Sequence, residues 1–280
     1  MYIRCWGSRG SVPVSGKEYV KYGGDTTCIE IRSQDDEIII VDSGTGIRLL
    51  GKQLLEEKRS EFHLIFTHTH WDHIMGFPFF KPFYSPHSKF KMYRIPDARF
   101  VKTMLSNMMN PPFFPVEYKN SPAHIQYINN ADSYEHFKIG SMDVNAIPLS
   151  HPNTGRGYKF TENGKSFIFI TDNELRFRHP GGLLFDDYRN FCKGADLLIH
   201  DGEYTSEEYG NLISWGHSSY VDALELALEA GVKRLGIFHL NQERTDEQID
   251  EIIKDCQRII QKKGSSLECF AVARGMSFTV

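Results

Sequence analysis

The sequence predicts an α/β protein in which two β-sheets face one another with helices outside, a four-layer αβ/βα sandwich. Three observations carry this: β-rich apolar runs recur in both halves, amphipathic helical stretches follow each set, and no Gly-, Ser- or Pro-rich linker divides them. A chain of 280 residues can hold one core of that kind, so residues 1–280 read as a single domain.

In the first half, residues 2–6, 27–32, 37–41 and 64–66 read as strands, and the near-continuous apolar content of the last two fits strands buried on both faces. Residues 46–58 read as a helix, with Ile47, Leu49, Leu50 and Leu54 on one face and Lys52, Glu56, Glu57 and Lys58 on the other. From about 77–122 the texture changes to Pro, Phe and Met without strong periodicity. That stretch reads either as a lid or insertion or as loop-rich core packing. In the second half, residues 142–147, 158–160, 166–170, 197–200, 234–238, 267–272 and 276–280 read as strands. Residues 218–230 and 245–263 read as helices, the latter with Thr245 as N-cap and Gln248 as its capping-box partner.

Composition narrows the function classes. With 40% hydrophobic and 24% charged residues the chain is ordinary for a globular protein. Its 32 basic and 36 acidic residues leave a formal charge of −4, without the basic excess of a protein that grips a nucleic-acid backbone, so nucleic acid is disfavoured as a partner. No run approaches a membrane span and the N-terminus opens as a strand, so the expectation is a cytoplasmic protein with no membrane partner. Cys5, Cys28, Cys192, Cys256 and Cys269 are scattered, form no CxxC pair and read as buried free thiols.

The chemistry is concentrated in His68-Thr69-His70-Trp71-Asp72-His73, which follows a strand and offers four metal donors in six residues. A chance occurrence is expected in roughly one chain in a thousand, so the signal is strong. His68 and His70 share one side of an extended stretch while Asp72 and His73 follow the turn, which gives two metal positions. Imidazole and carboxylate donors suit zinc, and also manganese or iron.

This segment resembles the metallo-β-lactamase superfamily, and Val41-Asp42-Ser43-Gly44-Thr45-Gly46 is similar to that family's first motif. The resemblance implies an αβ/βα sandwich of the metallo-β-lactamase type, with Asp42 bracing the metal loop. It also implies three further ligands at strand ends, for which the sequence offers His151, Asp172 and His239, with Asp201 as a rival to Asp172. The implied cofactor is two divalent metal ions, zinc first. His68, His70 and His151 would hold one, Asp72, His73 and His239 the other, and Asp172 would lie between them. Two such ions lower the pKa of a shared water and clamp a phosphoryl group. Relatives that use diiron for electron transfer carry Glu at the position of His70, so the implied chemistry is hydrolysis.

Further stretches resemble the phosphodiesterase branch: Leu198-Ile199-His200-Asp201-Gly202-Glu203-Tyr204-Thr205, Gly216-His217-Ser218-Ser219, and the N-terminal Trp6-Gly7-Ser8-Arg9-Gly10-Ser11-Val12-Pro13 and Tyr22-Gly23-Gly24-Asp25-Thr26-Thr27-Cys28. Two positions depart from it, Asp201 where the nucleases carry Glu and Asp25 where similar proteins carry Asn. The transfer-RNA nucleases also insert a long arm where this chain has only residues 152–171.

The expected function is therefore a dinuclear phosphodiesterase acting on a small or cyclic phosphodiester such as a cyclic nucleotide. Asp72, His217 and Asp201 are its expected catalytic residues, with His217 as general acid and Asp201 or Glu203 as its carboxylate partner. Arg9 and Ser11 are candidate phosphate contacts, although the same Gly-flanked sequence is compatible with a tight turn and a solvated arginine. His63, His87, His124, His136 and His179 lack a motif and read as structural or exposed. The alternatives are a thioesterase or lactonase, a transfer-RNA 3′-end endonuclease, and a metal-binding partner protein without turnover. The resemblance also suggests a homodimer.

Overall fold

The computed structural model describes residues 1–93, 98–128 and 135–280. The first half comprises β1 (Tyr2–Gly7), β2 (Cys28–Arg32), β3 (Ile38–Val41), α1 (Ile47–Glu56), β4 (Glu61–Ile65), α2 (Trp71–Ile74), β5 (Lys89–Tyr93), α3 (Ala98–Met108) and β6 (His124–Ile128). The second comprises β7 (His136–Ile139), β8 (Met142–Pro148), β9 (Arg156–Glu162), β10 (Lys165–Ile170), α4 (Phe185–Cys192), β11 (Leu197–Asp201), α5 (Ser206–Tyr209) and α6 (Tyr220–Ala230). It closes with β12 (Arg234–Phe238), α7 (Asp246–Lys262), β13 (Glu268–Ala271) and β14 (Ser277–Thr279).

These strands make two seven-stranded sheets, ordered β14-β1-β2-β3-β4-β5-β6 and β13-β12-β11-β10-β9-β8-β7. The last strand crosses back to the first sheet, where β14 pairs antiparallel with β1 through Ile3 and Phe278. Within each sheet a parallel run, β3 to β6 and β10 to β13, brings strand C-termini to one edge.

The apolar runs are continuous because the side chains of alternate residues enter different cores. In β3, Ile39 and Val41 pack between the sheets, while Ile38 and Ile40 join Leu50 and Leu54 of α1 on the outer side. In β10, Phe167 and Phe169 enter the space between the sheets, while Ile168 and Ile170 face Leu224 of α6 and Ile249 of α7. Thr245 caps α7 as expected, its side chain accepting from Gln248 N while Gln248 answers at the cap backbone. Such a cap stabilises a helix by about 1 kcal/mol.

The stretch 77–122 divides between the two readings given above. Phe77, Phe80, Phe83 and Phe90 are buried in the outer core, and β5 pairs parallel with β4. Phe79 and Phe113 instead are exposed. All five cysteines are buried and free. Among the described residues, no helix is long and apolar enough to cross a membrane.

Candidate metal centre

The site is assembled where strand ends of both sheets meet. Asp42 stands just beyond β3 with φ 62°, and its carboxylate accepts from Thr67 N at 2.7 Å, Thr67 Oγ1 at 2.6 Å and His73 Nδ1 at 2.8 Å. It thereby ties the loop after β4 to β3 and turns Nε2 of His73 toward the centre. Asp172 and His239, at the ends of β10 and β12, also have positive φ, 53° and 54°. Non-glycine residues in that region carry strain, and such strain clusters at functional sites.

The seven expected donors converge in two groups, and a third cluster, of Glu203, His217 and His239, adjoins them through His239. In the first group, ligand atoms of His68, His70, His151 and Asp172 all lie within 4.8 Å of one another, and in the second so do those of Asp72, His73, Asp172 and His239. Asp172 belongs to both. Its Oδ2 lies 3.5 Å from His68 Nε2, 3.9 Å from His151 Nε2 and 3.3 Å from His239 Nε2, and its Oδ1 lies 3.3 Å from His73 Nε2. Asp72 Oδ2 lies 3.2 Å from His73 Nε2 and 3.1 Å from His239 Nε2, and accepts from the backbone N–H of Ser11.

This donor set fits divalent cations. Nε2 of His68 and of His73 is buried without a hydrogen-bond partner, an expensive arrangement unless another species completes it. The outer nitrogens are meanwhile fixed: Nδ1 of His73 by Asp42, of His151 by the Gly216 carbonyl at 2.8 Å, and of His239 by Glu203 at 2.8 Å. Imidazoles held by one nitrogen so that the other faces inward are the usual arrangement around a bound metal.

Two glycines are required by close approach. A Cβ on Gly10 would lie 2.2 Å from His239 Nδ1, and one on Gly216, whose φ is 94°, would lie 2.2 Å from His151 Nδ1. The electrostatics reflect the crowding of charge. Burial pushes His68 well below the ordinary imidazole range, and the charge of His73 adds to this. Burial likewise holds His151 at about 3 against the pull of Asp172. The Asp172 carboxyl is held well below its usual range because His239 and His73 outweigh the burial that opposes it.

His217 borders this cluster. Its ring stacks on His239 with centroids 4.6 Å apart and meets His151 edge-on at 5.2 Å. Nδ1 lies 3.1 Å from Asp201 Oδ2 and 3.4 Å from Glu203 Oε2. Burial opposes protonation, but Glu203 and Asp201 outweigh it and raise the imidazole to about 9. His217 also lines a pocket of about 260 Å³ with Ser11, Tyr204, Trp215 and Gln242. Ser219 caps α6, its side chain accepting from Asp222 N, whereas Ser218 Oγ donates to the Asn173 carbonyl.

Asp201, the rival of Asp172, is in neither donor group. It accepts from the backbone N–H groups of Asn173, Glu203 and Ser218 as well as from His217. Arg9 requires a correction, because it is fully buried and not a phosphate contact. Its Nε donates to the Gly23 carbonyl and its Nη1 to those of Asn241 and Arg244, while Nη2 lies 3.8 Å from Asp246. Nε and Nη1 thus clamp the N-terminal loop onto the segment before α7, while Nη2 is buried without a hydrogen-bond partner. Ser11 does lie at the site, with φ 59° and its N–H on Asp72. Asp25 adds no charge there, since it pairs with Arg274 at 3.0 Å and accepts from Thr45 Oγ1. Of the remaining histidines, His63 bonds Tyr93 and Glu37, and His179 bonds Glu174.

Sequence reasoning misses Glu174. This buried carboxylate accepts from Gly216 N and Ser214 N, each at 2.7 Å, and from Tyr209 Oη at 2.9 Å, so it pins the loop that presents His217. A lone Glu after a strand end carries no motif, and only the tertiary contacts reveal it.

Residues 38–240 match the family model described as a beta-lactamase superfamily domain. Among curated proteins, the chain is 26% identical over 234 residues to ribonuclease Z of Sulfurisphaera tokodaii, covering 70% of this chain and 75% of that one. It is 22% identical over 276 residues to ribonuclease Z of Prochlorococcus marinus, covering 81% and 86%. Among solved structures, the metallo-beta-lactamase fold protein YhfI from Bacillus subtilis superposes with a TM-score of 0.72 at 19% identity, covering 99% of this chain and 98% of that one. A diphosphatase from the PhnP family superposes with a TM-score of 0.67 at 15% identity, covering 100% and 97%. The chain therefore belongs to the beta-lactamase superfamily, as a metal-dependent hydrolase of the metallo-β-lactamase fold.

Proposed function

We propose that the chain is a dinuclear phosphodiesterase, with zinc as its first-choice metal, acting on a small or cyclic phosphodiester such as a cyclic nucleotide. His68, His70 and His151 would hold one ion and Asp72, His73 and His239 the other, with Asp172 shared. When bound, such ions polarise phosphoryl oxygens and bring the pKa of water toward neutrality.

The chain's own residues supply the rest. Asp72, fixed by Ser11 N–H and by His239, orients the attacking side of the site. The carboxylates of Asp201 and Glu203 occupy Nδ1 of His217 and keep the ring protonated, which leaves Nε2 to give its proton to the departing alkoxide. That geometry, an imidazole whose Nδ1 faces two carboxylates at the edge of the donor cluster, carries the reading. A thiolate leaving group has no need of such an acid, and the arrangement thus favours a phosphodiester over a thioester.

The ribonuclease Z relatives favour a second reading, cleavage at a transfer-RNA 3′ end. Against it stand the net charge of −4 and the region between His151 and Asp172, where β9 and β10 pair as a hairpin without an arm. The test is a panel of bis(p-nitrophenyl) phosphate, cyclic nucleotides, precursor transfer RNA, a thioester and a lactone, with zinc and with manganese. Turnover of the small phosphodiesters is expected. Turnover confined to the thioester or lactone would overturn the proposal, and turnover confined to the RNA would establish the second reading.

A further inference from the structure

Beside the donor cluster lies a second and larger cavity, of about 680 Å³, that shares no lining residue with the pocket of His217. Its wall includes Thr69 and Trp71, which alternate along the chain with the donors His68, His70 and Asp72. The other walls come from the stretch 77–122: Phe79, Phe113 and Phe114, with Met104 and Met108 of α3. The helix serves two surfaces at once, because Val101 and Leu105 are buried in the outer core while Met104 and Met108, four residues apart, pack against that core and also line the cavity.

Three of these side chains are costly to leave in water. Trp71 is 69% exposed, Phe79 55% and Phe113 85%, and contiguous exposed apolar surface of this kind marks a binding site. The cavity is concave and its volume lies in the range of small-molecule pockets, about 300–1,000 Å³. Phe79 and Phe114 already hold an edge-to-face contact at 5.7 Å, so part of the wall is formed before any ligand arrives. The methionines supply adaptable apolar surface, and Thr69, Thr103 and Asn107 add a few polar atoms at the wall.

We propose that this cavity binds a planar aromatic substituent of the substrate, the ester group that stays on phosphorus while the other departs toward His217. The inference rests on the phosphodiesterase reading and adds the substrate class: a diester with one aromatic arm of aryl or nucleobase size. Its chemical basis is continuity. The segment that carries four of the metal donors also carries Trp71, so the cavity wall begins at the residue between the donors His70 and Asp72.

The test compares methyl p-nitrophenyl phosphate with 1-naphthyl p-nitrophenyl phosphate on the metal-loaded protein. The two share p-nitrophenolate as the leaving group and differ in the retained arm. The naphthyl ester should have a kcat/KM at least about tenfold higher, from the apolar area it buries. Trp71→Ala, and independently Phe113→Ser, which is remote in sequence from the donors, should each bring the ratio toward one. Equilibrium binding of 1-naphthyl phosphate against methyl phosphate gives a readout independent of turnover, and naphthyl should again bind tighter, with the preference reduced in both variants.

Equal kcat/KM for the two esters in the unmodified protein would overturn the inference and leave the phosphodiesterase reading intact. Hydrolysis of neither ester, with naphthyl phosphate still bound preferentially, would retain the cavity and sink the reading. Sedimentation showing a dimer that Phe113→Ser dissociates, with the ester ratio unchanged, would make this surface a self-association face and overturn the proposal.

Discussion

The imidazole of His217 lies nearly parallel to that of His239, with planes 20° apart and centroids separated by 4.6 Å. The group proposed as the acid is therefore in van der Waals contact with one of the proposed metal ligands, and the carboxylate of Glu203 touches both rings. Any loss of His217 is felt beside the donors, and its test has to separate the acid from the site's geometry.

The separation comes from the leaving group. His217→Ala should slow hydrolysis of an alkyl or cyclic phosphodiester by about 10²–10⁴-fold, the usual worth of a general acid. The same variant should slow a p-nitrophenyl ester far less, because that leaving group departs without a proton. Equal losses on both, with metal content unchanged, would make His217 a positioning residue.

Asp172 and Asp201 should differ in metal content. Asp172 is shared by the two donor groups, whereas the carboxylate of Asp201 is committed to three backbone N–H groups and His217. Asp172→Asn should lower bound metal strongly and Asp201→Asn weakly, as elemental analysis after dialysis will read. The opposite order would show that the shared carboxylate has been misassigned.

Asp42 touches no substrate in this account, yet Asp42→Ala should weaken metal binding by about 10–100-fold, the typical effect of removing the partner that orients a ligand histidine. It should also lower thermal stability, because Thr67 N–H and His73 Nδ1 lose their acceptor, and each buried donor left unpaired costs about 1–3 kcal/mol. Unchanged metal affinity would remove Asp42 from the ligand-holding role.

Asp196 sets a pH dependence away from the site. Burial opposes its ionisation, but Lys233, Ser166 N–H and Lys165 prevail and hold it at about 2. A depressed carboxyl stabilises the fold above its unfolded pKa of about 4, and this contribution is lost as the pH falls toward about 2. Solvent screening limits it to about 1 kcal/mol or less. Asp196→Asn should therefore be slightly less stable at neutral pH and converge with the unmodified chain below about pH 2 in acid-unfolding curves. Parallel curves that never converge would contradict the assignment.

How much of this was readable depends on where each residue gets its partners. Strands such as β3, β10 and β11 announce themselves because both faces are buried, which forces unbroken apolar runs. Periodicity does not mark β6, an edge strand with no fully buried side chain, and β5 alternates Lys with Phe and Met inside a Pro-rich stretch. The donors are legible since four of them crowd one short segment, and the other three stand at strand ends. Arg9 is misread because a glycine-flanked arginine looks the same in sequence whether its guanidinium faces a ligand or three backbone carbonyls. Glu174 is invisible for the converse reason, as the contacts that pin the His217 loop join it to residues about 35 to 42 positions away.

The central claim, two cations held by seven side chains with Asp172 shared, is tested most directly by counting metal. Protein purified with its metal and freed of loosely bound ions should contain close to two divalent ions per chain. Removal of both should abolish phosphodiester hydrolysis, and readdition should restore it in proportion to filling of the second position. A fully active protein holding one ion per chain would contradict the account.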